Sequence, residues 1–516
     1  CLGRAAGDRA RRETRPVSAS GTPTPPIALA GNPSEATSHL HAHAVEVDDA
    51  LLTRLRSACA DVTVAASALA EASRDWWPLA MIWALDNQVA ERAAAVARPA
   101  TTAEVAAVLE MCNEARVPVT PAAGRSGVCG ASVPVHGGVL LDLCGLDGII
   151  DVDRESMVLD VRAGTFGTWL EQTLRAEHHV TAGHWPQSID LSTVGGWLAC
   201  RGAGQMSTRY GKIEDIVLGL DVVLADGHII HTGGAPRAAV GPDLTQLFVG
   251  SEGTLGVITG ARLRLHEAPA QERRTAYGFD TFEAGLEACR RVLHRGATPA
   301  VLRLYDAIEA DRSFKTGDRH VLLALDEGDG ALIDPVMQII EEGATTNGGT
   351  ALDVGLVEQW LAHRNDVSAL EALITRGFVV DTMEIAARWS VLPAIYRDAV
   401  AAIQGVDHTL VASAHESHAY SDGACLYFTF AGQPPPDARE EYYRAAWDAG
   451  TRAVLEHGGA LSHHHGVGLN RARFVHEALG DAFDVLVGVK QKLDPRGILN
   501  PGKLGLPSPW GDPVWP

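Results

Sequence analysis

Three glycine-rich loops limit what this chain can fold into. PAAGRSGVCG (Pro121 to Gly130), QSIDLSTVGGW (Gln187 to Trp197) and SEGTLGVIT (Ser251 to Thr259) lie among short apolar runs in one part of the sequence. Glycine tolerates positive φ and leaves backbone N–H groups unscreened, so such loops can cradle an anion. In the second loop Ser192 and Thr193 can cap a helix opening at Gly195 and Gly196, and a helix start of that kind suits a phosphate. None of the three carries G-x-G-x-x-G between a strand and a helix, nor G-x-x-x-x-G-K-[ST], which excludes Rossmann and P-loop sites. Taken singly, each is a tight turn. A nucleotide site built from them has to be of another kind.

The surroundings of the loops predict an α+β domain. Thr101 with Glu104 forms a capping box before AEVAAVLEMCNEA, whose apolar residues recur at helical spacing. GGVLLDL is a strand, and DIVLGLDVVLADGHII is a hairpin turning at Asp226-Gly227. With 516 residues, more than one domain is expected. The pattern divides the chain into a disordered tail over 1–40, an N-terminal helical segment over 41–94, the loop-bearing domain over 95–268, an α+β cap or substrate domain over 269–455, and a C-terminal segment over 456–516. The tail carries Arg4, Arg9, Arg11, Arg12 and Arg15 and then SASGTPTPP, with no apolar signal core, so it is not expected to be a targeting signal.

Charge and cysteine usage remove other classes. Lys and Arg number 43 against 64 Asp and Glu, a net −21 that repels nucleic acid and anionic membranes. No apolar run reaches the ~18 residues of a spanning helix. Eight scattered cysteines without a C-x-x-C pair suit neither a disulfide framework nor zinc or iron–sulfur ligation, and point to buried free thiols.

The order of the loops resembles the FAD-binding domain of the vanillyl-alcohol-oxidase (PCMH-type) flavoprotein superfamily. The likeness rests on ARPATTAEVAAVLEMCNEARVPVTPAAGRSG, STVGG, IEDIVLGLDVVLADG and FVGSEGTLGVIT, over about residues 95–268. The resemblance implies FAD, with Pro121, Ala122, Ala123, Gly124, Arg125, Ser126 and Gly127 at the diphosphate. Gln187, Ser188, Asp190, Ser192, Thr193, Gly195, Gly196 and Arg201 would stand beside it. Glu252, Gly253, Thr254, Leu255, Gly256, Val257 and Ile258 would line the adenosine and isoalloxazine side. Covalent members often have a histidine after the R-S-G, where this chain has Val128-Cys129. Non-covalent FAD is therefore expected, with a packed Cys129 thiol preferred over a flavin tether.

Hydroxy-acid dehydrogenases of the superfamily carry H-x-x-x-x-x-x-H at a metal; in SHAYSDGACLYFTF, His418 is followed by Tyr427 and no second histidine, so no metal site is expected. GACLYF, SHHHGVG (Ser462 to Gly468), TAGHWPQSIDLSTVGGW and LRLYD instead resemble the alkyldihydroxyacetonephosphate synthases, over about residues 95–504. On their own chemistry, His463, His464 and His465 cannot all face one ion from an extended segment, which favours proton transfer over metal binding and leaves a surface loop as the alternative. Tyr427 is either a core tyrosine or a phenol acting as acid or base. Arg303 is either solvent-facing or pairs with a substrate phosphate or carboxylate, and Arg364 in AHRND falls near a second substrate arginine of that family.

The resemblance implies exchange of the acyl group of acyl-dihydroxyacetone phosphate for a fatty alcohol through a flavin N5 adduct, in ether-lipid synthesis. Tyr427, His463, His464 and His465 would move protons; Arg303 and Arg364 would clamp phosphate. The alternative is an FAD-dependent oxidase or dehydrogenase of a 2-hydroxy acid or other alcohol. A flavin-binding protein without activity is the third reading, and it sits poorly with those residues being present together. The expected setting is cytoplasmic, with association at a membrane surface as a variant, a phosphate- or carboxylate-bearing small molecule or lipid as substrate, and a homodimer as the family's common assembly.

Overall fold

The computed structural model describes residues 25–41, 43–366, 368–513 and 515. The capping-box helix forms as its sequence predicts, over Thr102–Ala115. Thr101 Oγ1 accepts the Glu104 N–H at 3.2 Å, while the Glu104 carboxylate reaches back to the Ala100 N–H at 2.9 Å. Val105, Val108, Leu109 and Cys112 form its buried stripe. They pack on a small sheet in which Ala95–Ala97, Val139–Asp142 and Val119–Ala122 run parallel, with Val62–Thr63 antiparallel at one edge.

Beside it lies a five-stranded antiparallel sheet in the order Ile229–Gly233, Val217–Val223, Val257–Arg264, Val158–Arg162, Ile149–Asp153. The hairpin is present, and Gly227 sits at φ +84 where its N–H closes the turn on Leu224 O. Two sheets with helices and no repeated βαβ unit make the mixed α+β architecture that the loops required.

The cap is a seven-stranded antiparallel sheet ordered Thr350–Ala351, Gln271–Phe279, His320–Gly328, Val301–Tyr305, Thr409–Ala419, Gly423–Gly432, Val379–Arg388. Helices Phe282–His294, Leu392–Gln404 and Arg439–Glu456 cover one face with Leu286, Ile395, Ile403 and Trp447. Across four neighbouring strands the register aligns Tyr305 with His415, His415 with Tyr427, and Tyr427 with Glu384. Directly opposed residues share a face. One row of polar side chains therefore crosses the sheet.

The stretch after the cap returns to the first domain. Val119 N–H donates to Ile498 O and Asn500 N–H to Val119 O, both at 2.8 Å, so the chain around Leu499 extends the small sheet.

The expectation of a disordered tail over 1–40 is corrected in part. Residues 1–24 lie outside the described residues. From there on Ile27, Leu29, Ala36 and Leu40 are buried, Ala30 N–H bonds Ala84 O at 2.9 Å, and Thr37–Ser38 pairs in parallel with Gln88–Val89. The polar composition of the tail as a whole concealed these few well-spaced apolar anchors. The segment 41–94 holds helices Asp49–Ala58, Ala66–Ala72 and Pro78–Ala84. Among the described residues the cysteines are free thiols, and no helix is long and apolar enough to cross a membrane.

Candidate active site

The three glycine-rich loops meet. A Cβ on Gly124 would lie 2.0 Å from Leu191 O, and one on Gly253, at φ +73, would lie 2.9 Å from Pro121 Cγ. Only glycine lets the first loop touch both the second and the third. Thr193 caps the helix Val194–Cys200 through the Gly196 N–H at 3.3 Å, as the sequence predicted, and Ser192 Oγ accepts the Trp197 indole N–H at 2.7 Å. Gly195 packs on Ala163, whereas Gly127 has open space where a side chain would stand. Arg125 is nearly buried, 3.6 Å from Asp142, in the left-handed region at φ +52.

Other expected cofactor residues sit differently from one another. Pro121 and Ala122 end the strand Val119–Ala122, followed by Ala123 and Ser126 in the loop. Gln187 and Ser188 are half-buried to exposed, and Ser188 O closes the turn on Leu191. Asp190 is exposed and accepts the Thr168 hydroxyl. Arg201 is half exposed and pairs with Glu214 at 3.2 Å. In the third loop Leu255, Val257 and Ile258 turn their side chains into the core, Thr254 bonds Ser251 O, and Gly256 abuts Val222 and Phe248, so this loop offers backbone edges more than side chains.

The Glu252 carboxylate is used elsewhere. It accepts the Val467 N–H at 2.5 Å and the Gly468 N–H at 2.9 Å, tying the third loop to the histidine loop. Glu384 holds the other end of that loop. Its oxygens accept the Ser462 hydroxyl at 2.8 Å and the N–H groups of His463, His464 and His465. The fully buried Arg471 pairs with Glu384 at 3.0 Å and also donates to Leu461 O at 2.7 Å. Burial opposes the Glu384 charge, yet Arg471, His465 and the backbone donors hold it below the usual carboxylate range. Removing one partner of such a buried pair costs on the order of 3–5 kcal/mol. Lys212 adds a 2.6 Å bond to His463 O.

This scaffold buries His463 and leaves His464 and His465 only partly exposed, at 14% and 16% of their side chains. His463 Nδ1 and His464 Nδ1 share a hydrogen bond at 2.9 Å, and His463 Nε2 meets the Tyr420 hydroxyl at 3.0 Å. Burial drives His463 and His464 well below the ordinary histidine value and puts His465 at about 4, so all three are neutral near pH 7. The surface-loop alternative is therefore not what the structure has.

Tyr427 stands among these groups. Its ring stacks on His415 at 4.9 Å and on His464 at 6.1 Å, meets His465 edge-on at 5.5 Å, and its hydroxyl donates to Thr382 Oγ1 at 3.0 Å. Burial raises the phenol further above its ordinary value, keeping it protonated. Arg303 donates to His415 Nε2 at 2.6 Å, and His415 Nδ1 bonds Glu309 at 2.7 Å. The Arg303 and Arg364 guanidinium groups each lie 5.6 Å from the Trp360 ring, and Arg364 lies equally far from Trp185. The two expected substrate arginines thus share one indole.

Sequence reasoning missed Glu384, Arg471, His415, Glu309 and Trp360. For Glu384 the signal was acids inside an apolar strand, VVDTMEIAAR, whereas Glu309 lies in the helix Ala307–Phe314 and carried no such signal. It also treated His418 as solitary. In the structure donor atoms of His418, Cys425, His463 and His464 lie within 4.8 Å of one another, because adjacent strands and the histidine loop converge there. Several of these donors are already hydrogen-bonded: His418 Nδ1 to Ser417, and His463 to His464.

Two family models match the chain. One, described as an FAD binding domain, covers residues 93–233; the other, the C-terminal domain of FAD linked oxidases, covers residues 268–504. The chain belongs to the FAD-linked oxidase family. An uncharacterised FAD-linked oxidoreductase of Escherichia coli K12, YgcU, is 31% identical over 430 residues, 80% of this chain and 88% of that protein. Alkyldihydroxyacetonephosphate synthase of Dictyostelium discoideum is 28% identical over 448 residues, 79% of this chain and 72% of that protein. A solved alkyldihydroxyacetonephosphate synthase superposes with a TM-score of 0.75 at 23% identity, covering 93% of this chain and 90% of that one, which shows the shared fold.

FAD is the cofactor of this FAD-linked oxidase. The residues fit it. The loops converge through glycines, and buried polar atoms without a protein partner stand nearby: both nitrogens of His184, Trp185 Nε1 and Ser251 Oγ. The Cys129 thiol is fully buried, and burial raises it, which disfavours the thiolate a flavin tether would require.

Proposed function

We propose that this FAD-linked oxidase exchanges the acyl group of acyl-dihydroxyacetone phosphate for a fatty alcohol, as its likeness to alkyldihydroxyacetonephosphate synthases suggests. The observation that carries the reading is the contact chain from Arg303 through His415 to Tyr427 and His464, which joins an anion clamp to proton-moving groups in one row. Net exchange is redox-neutral: the fatty acid leaves with one proton, and the alcohol oxygen, having lost its own, takes its place. Bound FAD supplies the electron-accepting ring centre at which the substrate carbon reacts.

The residues of the chain do the rest. Arg303 spends one N–H on His415 and Nε on Tyr305, leaving other donors of its fork for phosphate. Arg364, with a buried Nη1 that has no hydrogen-bond partner, supplies the second cation. Tyr427 holds a proton on its hydroxyl for delivery, and the neutral imidazoles of His464 and His465 can take one up. FAD is held without a covalent bond, and acid precipitation should leave it wholly in the supernatant.

The test is mass spectrometry after incubating FAD-loaded protein with acyl-dihydroxyacetone phosphate and deuterated long-chain alcohol. A deuterated alkyl ether with free fatty acid supports the reading; its absence overturns it. The second reading is oxidation of a 2-hydroxy acid or other alcohol, favoured by the converging His418, Cys425, His463 and His464 donors. Anaerobic bleaching of the flavin by a hydroxy acid, abolished by a chelator, would select it. The synthase reading expects turnover to survive the chelator.

A further inference from the structure

Three adjacent imidazoles raise the question of which one is the base, and the groups behind them differ. His463 uses both ring nitrogens, on His464 and Tyr420. His464 Nδ1 is taken by His463. His465 Nδ1 is buried with no hydrogen-bond partner, and Glu384 Oε1 lies 3.6 Å from it. The same oxygen accepts the His465 N–H at 2.9 Å, so ring and carboxylate are fixed relative to one another through the backbone.

Resting on the reading that these histidines move protons, we propose that Glu384 is a positioning residue that fixes His465 as its Nδ1–H tautomer, leaving the Nε2 lone pair as the base of the site. A carboxylate facing one imidazole nitrogen favours the proton there, since a lone pair turned toward it would be repelled. Glu384 is placed to do so by the cross-strand row: it opposes Tyr427, whose ring meets His465 edge-on. The charged and titratable groups facing His465 are Glu384, Arg471 paired with it, Tyr427 and His464. Burial, with Arg471 offsetting part of the carboxylate's pull, keeps the imidazole neutral. In the step itself a proton leaving substrate or the Tyr427 hydroxyl adds to Nε2, giving an imidazolium whose Nδ1–H faces Glu384. The same proton returns from Nε2, and no electrons are exchanged.

The test needs no substrate. Full-length, FAD-loaded protein labelled with ¹⁵N-histidine is examined by long-range ¹H–¹⁵N correlation at neutral pH, with the His465 signals identified by their loss in His465→Gln. The expected pattern is a protonated Nδ1 and a bare Nε2. Glu384→Leu should lose that pattern, giving Nε2–H or a mixture, while Ser462→Ala, which removes another ligand of the same carboxylate, should keep it. A protonated Nε2 in the parent protein overturns the proposal, as does an unchanged tautomer in Glu384→Leu. If Glu384→Leu does not fold, the parent pattern decides alone. Failure of the ether-forming assay leaves this result standing, so the two readings fall separately.

Discussion

Glu252 accepts the Gly468 N–H at 2.9 Å, and through that bond the third glycine-rich loop holds the histidine loop in place. The contact is close: a Cβ on Gly466, at φ +81, would come within 2.3 Å of Glu252 Oε1. Gly466→Ala therefore strains the backbone and displaces the carboxylate, costing on the order of 1–3 kcal/mol. A lower thermal midpoint together with a smaller FAD-loaded fraction after purification is the expected outcome, read by calorimetry and flavin absorbance.

Tyr427→Phe removes one hydroxyl bonded to Thr382 while keeping the ring between His415 and His464. FAD content and thermal midpoint should stay near those of the parent. Turnover should fall by about 10²–10⁴-fold, the range for losing an acid–base group. Steady-state rates measured beside the flavin spectrum check both halves.

Arg303 and Arg364 both lie against Trp360. Single changes to Met should each raise KM for a phosphate-bearing substrate by about 10–100-fold, a loss of roughly 1.5–3 kcal/mol per charged hydrogen bond. Because they share a partner and a ligand, the double variant should depart from additivity by at least about 0.5 kcal/mol. Arg303→Lys should not rescue, since an ammonium cannot serve His415 and a phosphate with one planar fork.

His184 gives a pH test. It is fully buried against Trp197, and burial holds it at about 3. The unfolded chain binds its proton near 6.5 and the folded chain only near 3, so the stability at stake is complete above 6.5 and lost as pH falls toward 3. His184→Phe escapes that loss. Relative to the variant, the parent should become less stable by about 2 kcal/mol on going from pH 7 to pH 5, at 1.36 kcal/mol per unit. Urea midpoints of the two proteins across that range measure it.

What local sequence encodes was readable. The Thr101 and Thr193 caps and the turn at Gly227 follow from residue types a few positions apart, whereas the meeting of the glycine loops was implied only by the family resemblance. Tyr427, the three histidines and Arg303 were also named; local chemistry left their roles open, and the motifs GACLYF, SHHHGVG and LRLYD gave them through the family resemblance. Glu384 and Glu252 were not assigned their roles, since each acts on a backbone 79 to 216 positions away and no local pattern records which strand will oppose which. Cys425 and His463 reach His418 for the same reason. In the tail, averaging over polar residues hid Ile27, Leu29 and Leu40, whose segment bonds residues 74–90.

The bond pair between Val119 and the stretch Ile498 to Asn500 has a consequence for biosynthesis. A ribosome completes the three glycine-rich loops hundreds of residues before it makes the segment that closes the sheet beside them, with Lys490 and Asn500 holding backbone oxygens of the third loop. Until that segment emerges, the nascent chain carries its glycine-rich loops on an unfinished sheet. FAD capture is then expected to wait for the end of translation, and chains cut short before Ile498 should emerge colourless.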